Sequence, residues 1–320
     1  MVLGPIVGPP HLMVIAFLAA LALDFIYPYH KGVLLLVHPV RTSWIMAMKL
    51  RKPYGSKVRG VIIWVACVGT HLSAYAIVLY LAWQSSHLLW VLGTAYVLKV
   101  SFSVRLLADT VRKVGAKASM GEWARAKELT QGLVRRDVNL LDEPHVISAA
   151  IESLAESFMD GFVSPTTYFS FGGSVASLLQ RVANTLDGAL GYKDPEHREI
   201  GWFSARADDV MNYIPARLSA LLILLAGWVL GVSSRDAFRT YRRYCHVTES
   251  PNAGHPMAAM AAVLGVSLEK PGHYIIGDGC LPKPEHIDLA LKVYWIATVI
   301  HVFLVVGLIY VLSLCFSAYG

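Results

Sequence analysis

Acidic side chains recur at helical spacing in one polar segment of the chain. Glu152, Glu156 and Asp160 follow one another at steps of four residues, and His145 lies seven residues before Glu152. On a helix these residues share one stripe, where the like charges repel one another. Oxygen ligands of this kind suit Mg²⁺, which binds one or two carboxylates together with substrate phosphates. The stripe therefore predicts a metal or phosphate site, and a solvated helix face is the simpler alternative.

A second polar group contains Asp208, Asp209 and Asn212 and lies between Arg206 and Arg217. Asp208 and Asn212 are one helical turn apart, and an apolar run follows the group directly. Mixed charges that border a membrane segment are costly without partners. Turn and capping chemistry therefore explains this group poorly, and a binding site explains it better.

Two pairs of residues give weaker signals. Asn184 and Asp187 are near neighbours in sequence, and turn or capping chemistry accounts for them as well as a site does. His38 and Arg41 lie in a basic loop. A single histidine in such a loop is more often structural than catalytic.

The segment SPNAGHP predicts a tight polar turn that contains Ser250 and Asn252, followed by a helix that Pro256 opens. The free backbone N–H groups at the amino end of that helix favour an anion. A helix cap explains the same pattern equally well.

The composition indicates an integral membrane protein. Of the 320 residues, 55% are hydrophobic and 16% are charged, and the mean hydropathy is +0.51. Soluble domains carry about 25% charged residues. The net charge of +6 could suggest nucleic acid, but the basic residues lie where membrane topology places them. No nucleic acid partner is expected.

Four apolar runs are predicted to span the membrane, and two more are ambiguous. The predicted spans are Leu12–Tyr27, Val61–Trp83, Leu88–Val104 and Val293–Phe316. Gly161–Leu179 and Ala216–Val232 could each cross, re-enter or pack inside protein. No basic segment precedes the first run, which argues against a secretion signal. The sequence predicts an all-α, polytopic fold with about four to six membrane-embedded helices.

The connections between the spans are predicted to be helical and cytoplasmic. Seven Lys and Arg residues lie between the first two spans, and the positive-inside rule assigns that loop to the cytoplasm. Residues 109–215 and 233–286 form the other main connections of a single domain over residues 1–320. Residues 109–134 predict two amphipathic helices, with Gly115 and Ser119–Glu122 at the break, and a helix from Pro144 to Gly161 carries the acidic stripe.

The four cysteines, Cys67, Cys245, Cys280 and Cys315, form no CxxC pair. Two of them, Cys67 and Cys315, lie in predicted spans. The cysteines therefore suggest neither a disulfide framework nor a zinc site.

Five segments of the chain, in order, resemble the signature blocks of the CbiB/CobD family of cobalamin biosynthesis, the adenosylcobinamide-phosphate synthases. The segments are LDFIYPYHKGVLLLVHPV, RDVNLLDEPHVISAAIESLAESFMDGFVSPTTYF, VANTLDGALGY, ARADDVMNYIPARL and SPNAGHPMAAMA. They lie between about Leu23 and Gly277. Five ordered matches are far more specific than any one of them.

The resemblance implies a multi-pass protein of the inner membrane whose active site faces the cytoplasm. It implies a ligase that joins adenosylcobyric acid to (R)-1-amino-2-propanol or its O-phosphate and consumes ATP with Mg²⁺, with the corrinoid as substrate. The lipid bilayer is an expected partner. Other membrane-bound corrinoid enzymes and a second copy of the chain are further candidate partners.

The resemblance and the chemistry of amide formation together give each polar residue an expected role. No P-loop pattern occurs, so the nucleotide is expected to be held by carboxylate-bound Mg²⁺ and by arginines. The expected catalytic residues are Glu152, Glu156, Asp160, Asp208 and Asp209, and all of these except Asp209 are expected metal ligands. The expected substrate- and phosphate-binding residues are His38, Arg41, Arg135, Asn184, Asp187, Arg206, Asn212, Arg217, Ser250 and Asn252. The acids are expected to meet in one pocket that borders the lipid.

The chain departs from the family pattern in two places. The family usually reads roughly LDxxxGDP before its HPV, whereas YPYHKG intervenes here, so the motif assigns no role to this first loop. A tryptophan is common at the position of His255, so His255 is not expected to act as a general base.

Two other function classes fit parts of the sequence. A secondary transporter also places ionisable residues near broken apolar segments, but the inverted repeats that would support it are not found. A membrane sensor or scaffold of the same fold would keep the packing and lose the chemistry. The retained acidic groups argue against that alternative.

Overall fold

The computed structural model of the chain describes residues 4–192 and 194–318, and nearly all of their regular structure is helical. The helices are α1 (Pro10–Ile26), α2 (Gly32–Leu36), α3 (Pro39–Leu50), α4 (Lys57–Ser85), α5 (His87–Lys99), α6 (Arg105–Ser119), α7 (Trp123–Gln131), α8 (Glu143–Phe158), α9 (Ser164–Leu190), α10 (Trp202–Met211), α11 (Tyr213–Val229), α12 (Ser234–Tyr244), α13 (Gly254–Leu264) and α14 (Glu285–Ala318). A 3₁₀ turn, Val138–Leu140, precedes α8, and a π turn, Met159–Val163, follows it. Two short strands, β1 (Leu268–Lys270) and β2 (Tyr274–Ile276), pair antiparallel with Leu268 opposite Ile276. The all-α prediction is confirmed.

Two helices are long and apolar enough to cross a membrane. These are α4, with 29 residues, and α14, with 31 residues from Glu285 to Cys315. The pair α10 and α11 would supply a third span across a bend of 47°. The helices α1 and α13 are apolar but shorter. The described residues therefore contain two or three helices that are long enough to span a membrane. The other apolar segments among the four to six predicted membrane-embedded helices form shorter elements.

The predicted span Leu88–Val104 is shorter than expected, because α5 ends at Lys99. The ammonium of Lys99 lies 3.5 Å from a carboxylate oxygen of Asp24 in α1, and both side chains are buried. Removing one partner of such a pair would leave the other as an uncompensated buried charge. The two charges that interrupt apolar runs in the sequence therefore compensate each other in the fold.

The ambiguous segment Gly161–Leu179 begins in the π turn and continues into a kinked helix. Within α9, Gly172 and Gly173 leave the helical conformation, and Gly173 has φ = 65°. A Cβ atom at Gly173 would lie 2.3 Å from the carbonyl oxygen of Ile6. Glycine is the residue that adopts this backbone conformation and permits this approach at low cost. The segment is therefore not one straight span.

The helices group into two compact units, neither of which is a continuous stretch of chain. The first unit contains the described residues of 1–103, 164–212 and 304–320, and the second contains residues 104–163 and 213–303. In the first unit α9 packs against α3, α4, α5 and α10, and α1 packs against α5. The assignment of residues 1–320 to one domain stays a prediction.

The second unit is organised around α8. This helix packs against α6, α7, α13 and β1, and α13 also packs against α11 and α12. The side chains of Ile147, Ile151 and Leu154 are completely buried. They form the apolar face opposite the acidic stripe, so the acidic residues lie on the other side of a helix that is fixed in the core.

The buried glycine of α4, Gly60, allows the helix to approach the carbonyl oxygen of Ile200, which would lie 2.1 Å from a Cβ atom. We expect Gly60→Ala to lower the free energy of unfolding by about 1–3 kcal/mol, because a backbone oxygen cannot rotate away. Gly69→Ala in the same helix is the matched control, since nothing lies within 4 Å of its Cβ position. Thermal unfolding in detergent would measure both variants. Equal melting temperatures would contradict the prediction.

Candidate functional site

Glu152 lies in the interior of the second unit, where three donors bind its carboxylate. The side chain is 5% exposed. Arg136 donates to Oε1 at 3.0 Å, the Ser148 hydroxyl donates to the same oxygen at 2.7 Å, and the Tyr274 hydroxyl donates to Oε2 at 2.7 Å. Burial and the neighbouring Glu152 charge raise the pKa of Tyr274, so its proton is retained. Glu152 therefore ties the Arg136 segment and β2 to α8.

Glu156 lies one turn further along α8 in a different environment. Its side chain is exposed to solvent, whereas Asp160 is half-buried. The surrounding protein nevertheless desolvates Glu156 and raises its pKa, and the charges of Asp160 and Glu152 act in the same direction. Arg135 and Lys270 oppose this shift. Solvent therefore reaches Glu156, while its surroundings disfavour the ionised form of its carboxyl group.

The π turn changes the path of the chain at Asp160. The helix was predicted to continue regularly to Gly161, but α8 ends at Phe158 and the backbone widens into the turn Met159–Val163. Turns of this kind are rare inside helices and frequently occur at functional sites. The charge of Asp160 still acts on Glu156. The two acids beyond Glu152 therefore remain electrostatic neighbours, as the stripe predicts.

His145, the fourth member of the predicted stripe, lies at the start of α8. The carboxylate of Asp142 caps the helix by accepting a hydrogen bond from the backbone N–H of His145 at 3.1 Å, and it also contacts the imidazole. Nε2 of His145 lies 3.6 Å from a carboxylate oxygen of Glu269. These contacts place the imidazole in the cap of α8.

The first unit contains a network of amides around Asp208. Oδ1 of Asp208 accepts hydrogen bonds from the side-chain amides of Asn212 at 2.9 Å and Asn184 at 3.3 Å. The Gln180 amide in turn donates to Oδ1 of Asn212 at 3.2 Å. Asn212 is buried at the end of α10. The predicted proximity of Asp208 and Asn212 is confirmed, and the network fixes the last turn of α10 against α9.

The side chains around this network are more exposed. Asn184 and Asp187 both lie inside α9 and therefore not in a turn, and their assignment to a site stays a prediction. Asp187 is half-buried one turn beyond Asn184. Arg206 lies 3.6 Å from Asp209 and is largely exposed. An exposed pair of this kind contributes little stability, which leaves its charges accessible to a ligand.

His38 caps α3. Its Nδ1 accepts a hydrogen bond from the backbone N–H of Val40 at 3.3 Å, and its ring lies 4.6 Å from the ring of His30. Burial is the main cause that lowers the pKa of His38 to about 3, with further contributions from His30 and Arg181. The imidazole is therefore neutral at physiological pH. Arg41 is exposed on the same helix.

The predicted turn before α13 holds an arginine in place. The hydroxyl of Ser250 accepts hydrogen bonds from the backbone N–H groups of Asn252 at 3.2 Å and Ala253 at 3.3 Å. The buried Asn252 accepts a hydrogen bond from Arg217 at 3.3 Å. The guanidinium of Arg217 also stacks 3.5 Å from the ring centre of Tyr213. The turn and the helix after it are confirmed, although α13 begins at Gly254 rather than Pro256.

The predicted site residues fall into both units. The second unit contains Arg135, Glu152, Glu156, Asp160, Arg217, Ser250 and Asn252, and the first contains His38, Arg41, Asn184, Asp187, Arg206, Asp208, Asp209 and Asn212. That all the acids meet in one pocket stays a prediction. Four residues that interact with Glu152 or Glu156 were not predicted from the sequence, namely Arg136, Ser148, Tyr274 and Lys270. Only Arg136, beside Arg135 in an RRD segment, carried any local signal.

Comparisons with known proteins give one consistent result. The family profile described as CobD/Cbib protein matches residues 17–302. The chain is similar to a probable cobalamin biosynthesis protein CobD of Aeropyrum pernix, with 41% identity over 87% of each chain. Proteins of the same description from Thermoplasma volcanium and Methanothermobacter thermautotrophicus are 34% and 36% identical, over 89% and 82% of this chain and 93% and 86% of theirs. No solved structure matches the chain significantly.

Proposed function

Because the chain belongs to the CobD/CbiB family of cobalamin biosynthesis proteins, we propose that it is an ATP- and Mg²⁺-dependent amide ligase. It joins adenosylcobyric acid to (R)-1-amino-2-propanol or its O-phosphate, and the product is adenosylcobinamide or its phosphate. The structural observation that carries the proposal is the accessible but desolvated carboxylate of Glu156, beside Asp160, Arg135 and Lys270. The two carboxylates suit a cation, and the basic side chains of Arg135 and Lys270 suit phosphate oxygens.

We assign Mg²⁺ first to Glu156, which solvent reaches, together with its electrostatic neighbour Asp160. Desolvation and, after it, the charge of Asp160 raise the pKa of Glu156, and a divalent cation would relieve the repulsion between the two carboxylates. Glu152 and Asp208 fit the ion less well than Glu156, because arginine and hydroxyl donors bind the carboxylate of Glu152 and amide donors bind that of Asp208. We therefore assign Glu152 and Asp208 to positioning. When bound, Mg²⁺ would neutralise phosphate charge and orient the phosphoryl group that is transferred.

The reaction itself needs positioning more than covalent chemistry from the protein. A carboxylate oxygen of the corrinoid attacks the terminal phosphorus of ATP, and ADP leaves. The amine then attacks the acyl carbon and loses a proton, and inorganic phosphate leaves. In this scheme Arg135 and Lys270 hold phosphate oxygens and stabilise the charge that develops on them.

The roles of the other predicted residues remain part of the proposal. His38, Arg41, Asn184, Asp187, Arg206, Asn212, Arg217, Ser250 and Asn252 are proposed to contribute to substrate and phosphate binding, and Asp209 to catalysis. Arg217 is the best prepared of these, because Asn252 and Tyr213 hold its guanidinium in one orientation.

We place the protein in the inner membrane as a multi-pass protein with the active site on the cytoplasmic side, where ATP is available. The support for this orientation is the basic segment that precedes α4, because positive residues favour the cytoplasmic side. A second copy of the chain and other membrane-bound enzymes that act on corrinoids are proposed partners.

The proposal predicts that purified protein in detergent consumes ATP only when a corrinoid carboxylate and an amino alcohol are both present. ADP should form in a one-to-one ratio with the new amide, because each amide requires one activated acyl group. Coupled measurement of ADP and mass analysis of the corrinoid product would check this. ATP hydrolysis that is indifferent to the amino alcohol would contradict it. Corrinoid uptake into proteoliposomes without amide formation would instead favour the transporter.

A further inference from the structure

Three residues that can ligate a metal ion lie together where α12 ends and α13 begins. The donor atoms of Cys245, His246 and His255 all lie within 4.8 Å of one another. Cys245 and His255 are buried, and His246 is exposed. The cluster belongs entirely to the second unit. Its donors are one sulfur and two imidazole nitrogens, which differ in chemistry from the carboxylates of α8.

His255 provides an independent indication of a ligand. Its side chain is 3% exposed, and Nε2 is buried without a hydrogen-bond partner. Nδ1 lies 2.8 Å from the hydroxyl oxygen of Tyr241. With the proton on Nδ1, the imidazole donates to Tyr241 and keeps the lone pair of Nε2 available for a metal ion. A buried polar atom is rarely left without a partner, and metal-ligating histidines commonly make such an orienting hydrogen bond with the other ring nitrogen.

The charges around Cys245 bear on its ability to ligate. Its thiol donates to the carbonyl oxygen of Arg242 at 3.8 Å, and burial raises the pKa of the thiol. The positive charges of Arg217 and Arg242 act in the opposite direction and favour the thiolate. A thiolate would reduce the repulsion between these arginines and a cation.

We propose that Cys245, His246 and His255 bind a divalent transition metal ion of the zinc class. The thiol proton is released to solvent on binding, and the ion is held by one thiolate and two neutral imidazoles. Zn²⁺ takes such nitrogen and sulfur ligands in tetrahedral geometry, whereas Mg²⁺ prefers oxygen. The exposed side of His246 leaves room for water as a fourth ligand. The absence of a CxxC pair from the sequence therefore does not exclude a zinc site.

The ion would join the end of α12 to the beginning of α13. Because α13 packs against α8, the ion would fix a helix that supports the acidic site without contributing to it. The two ions are chemically distinct, and the site is independent of the proposed ligase activity. A chain without ligase activity could still bind the transition metal, and a chain that does not bind the transition metal could still be a ligase.

Cobalt substitution in the full-length protein in detergent tests the site. After chelation and dialysis, one equivalent of Co²⁺ should give a sulfur-to-cobalt charge-transfer band, and Zn²⁺ should abolish the band by competition. Cys245→Ser should remove the band, and His255→Gln should weaken Co²⁺ binding by more than about tenfold. Cys280→Ser and His273→Gln are the matched controls, since both residues are exposed in the same unit.

Three results would overturn the proposal. The first is a wild-type protein without a thiolate band at stoichiometric Co²⁺. The second is a Cys245→Ser variant that keeps the band, and the third is a Cys280→Ser variant that loses it. Thermal unfolding of each variant in the presence of chelator would show that the fold is retained, so that loss of binding is not loss of structure.

Discussion

Replacement of Glu156 by glutamine is expected to lower the rate of ATP-dependent amide formation by about 10²–10³-fold, the loss typical of removing one electrostatic contribution to a transition state. Glutamine has nearly the same shape but no charge, so the cation that offsets phosphate charge would lose a ligand. The side chain is accessible, and the variant needs no repacking of the core. Initial rates at several Mg²⁺ concentrations would separate weaker cation binding from a slower chemical step.

The folded state should tolerate this substitution. The charges of Asp160 and Glu152 disfavour the ionised form of Glu156, so a neutral side chain relieves repulsion. Glu143→Gln is the matched control, because Glu143 is an exposed residue in the first turn of the same helix. Loss of the Glu143 charge should lower the free energy of unfolding by only a few tenths of a kcal/mol, the effect typical of a charge at a helix terminus. A Glu156→Gln variant with wild-type rates would remove Glu156 from the proposed site.

The sequence predicted the elements whose formation depends on local pattern. The runs Val61–Trp83 and Val293–Phe316 lie within α4 and α14, since hydrophobicity alone decides whether a long helix can enter a bilayer. The limits of α5 and the kink in α9 were not predictable in the same way. The helix α5 ends at Lys99, whose charge pairs with Asp24 in α1, and the kink in α9 lies where Gly173 closely approaches the backbone of Ile6.

The candidate site shows the same division. The stripe of Glu152, Glu156 and Asp160 follows from helical spacing, and their electrostatic coupling is found as expected. The partners of Glu152 come from more than a hundred residues away as well as from nearby, because Tyr274 reaches it from β2. No periodicity carries such a pairing. The sequence could therefore indicate the acidic residues of the site. It could not show that the charge of Glu152 is compensated by protein donors whereas Glu156 is accessible to solvent.

The adjacent residues Arg135 and Arg136 allow the different roles of Glu152 and Glu156 to be tested. Arg136 is largely buried and donates to Glu152, whereas Arg135 is exposed and acts on Glu156 through its charge. We expect Arg136→Met to destabilise the protein by about 3–5 kcal/mol, because Glu152 would remain as a buried charge without its cation. Arg135→Met should change stability by less than about 0.5 kcal/mol, the usual range for exposed positions.

Chemical unfolding in detergent would compare the two variants, and a second substitution would identify the cause. Adding Glu152→Gln to Arg136→Met removes the uncompensated charge, so the double variant should be more stable than Arg136→Met alone. Arg135→Met should instead reduce amide formation without changing the unfolding transition, since its charge is proposed to hold phosphate oxygens. Equal destabilisation by both arginine substitutions would contradict these roles. Such a result would indicate that stability depends on the packing of both arginines in the α8 region rather than on the compensation of one buried carboxylate.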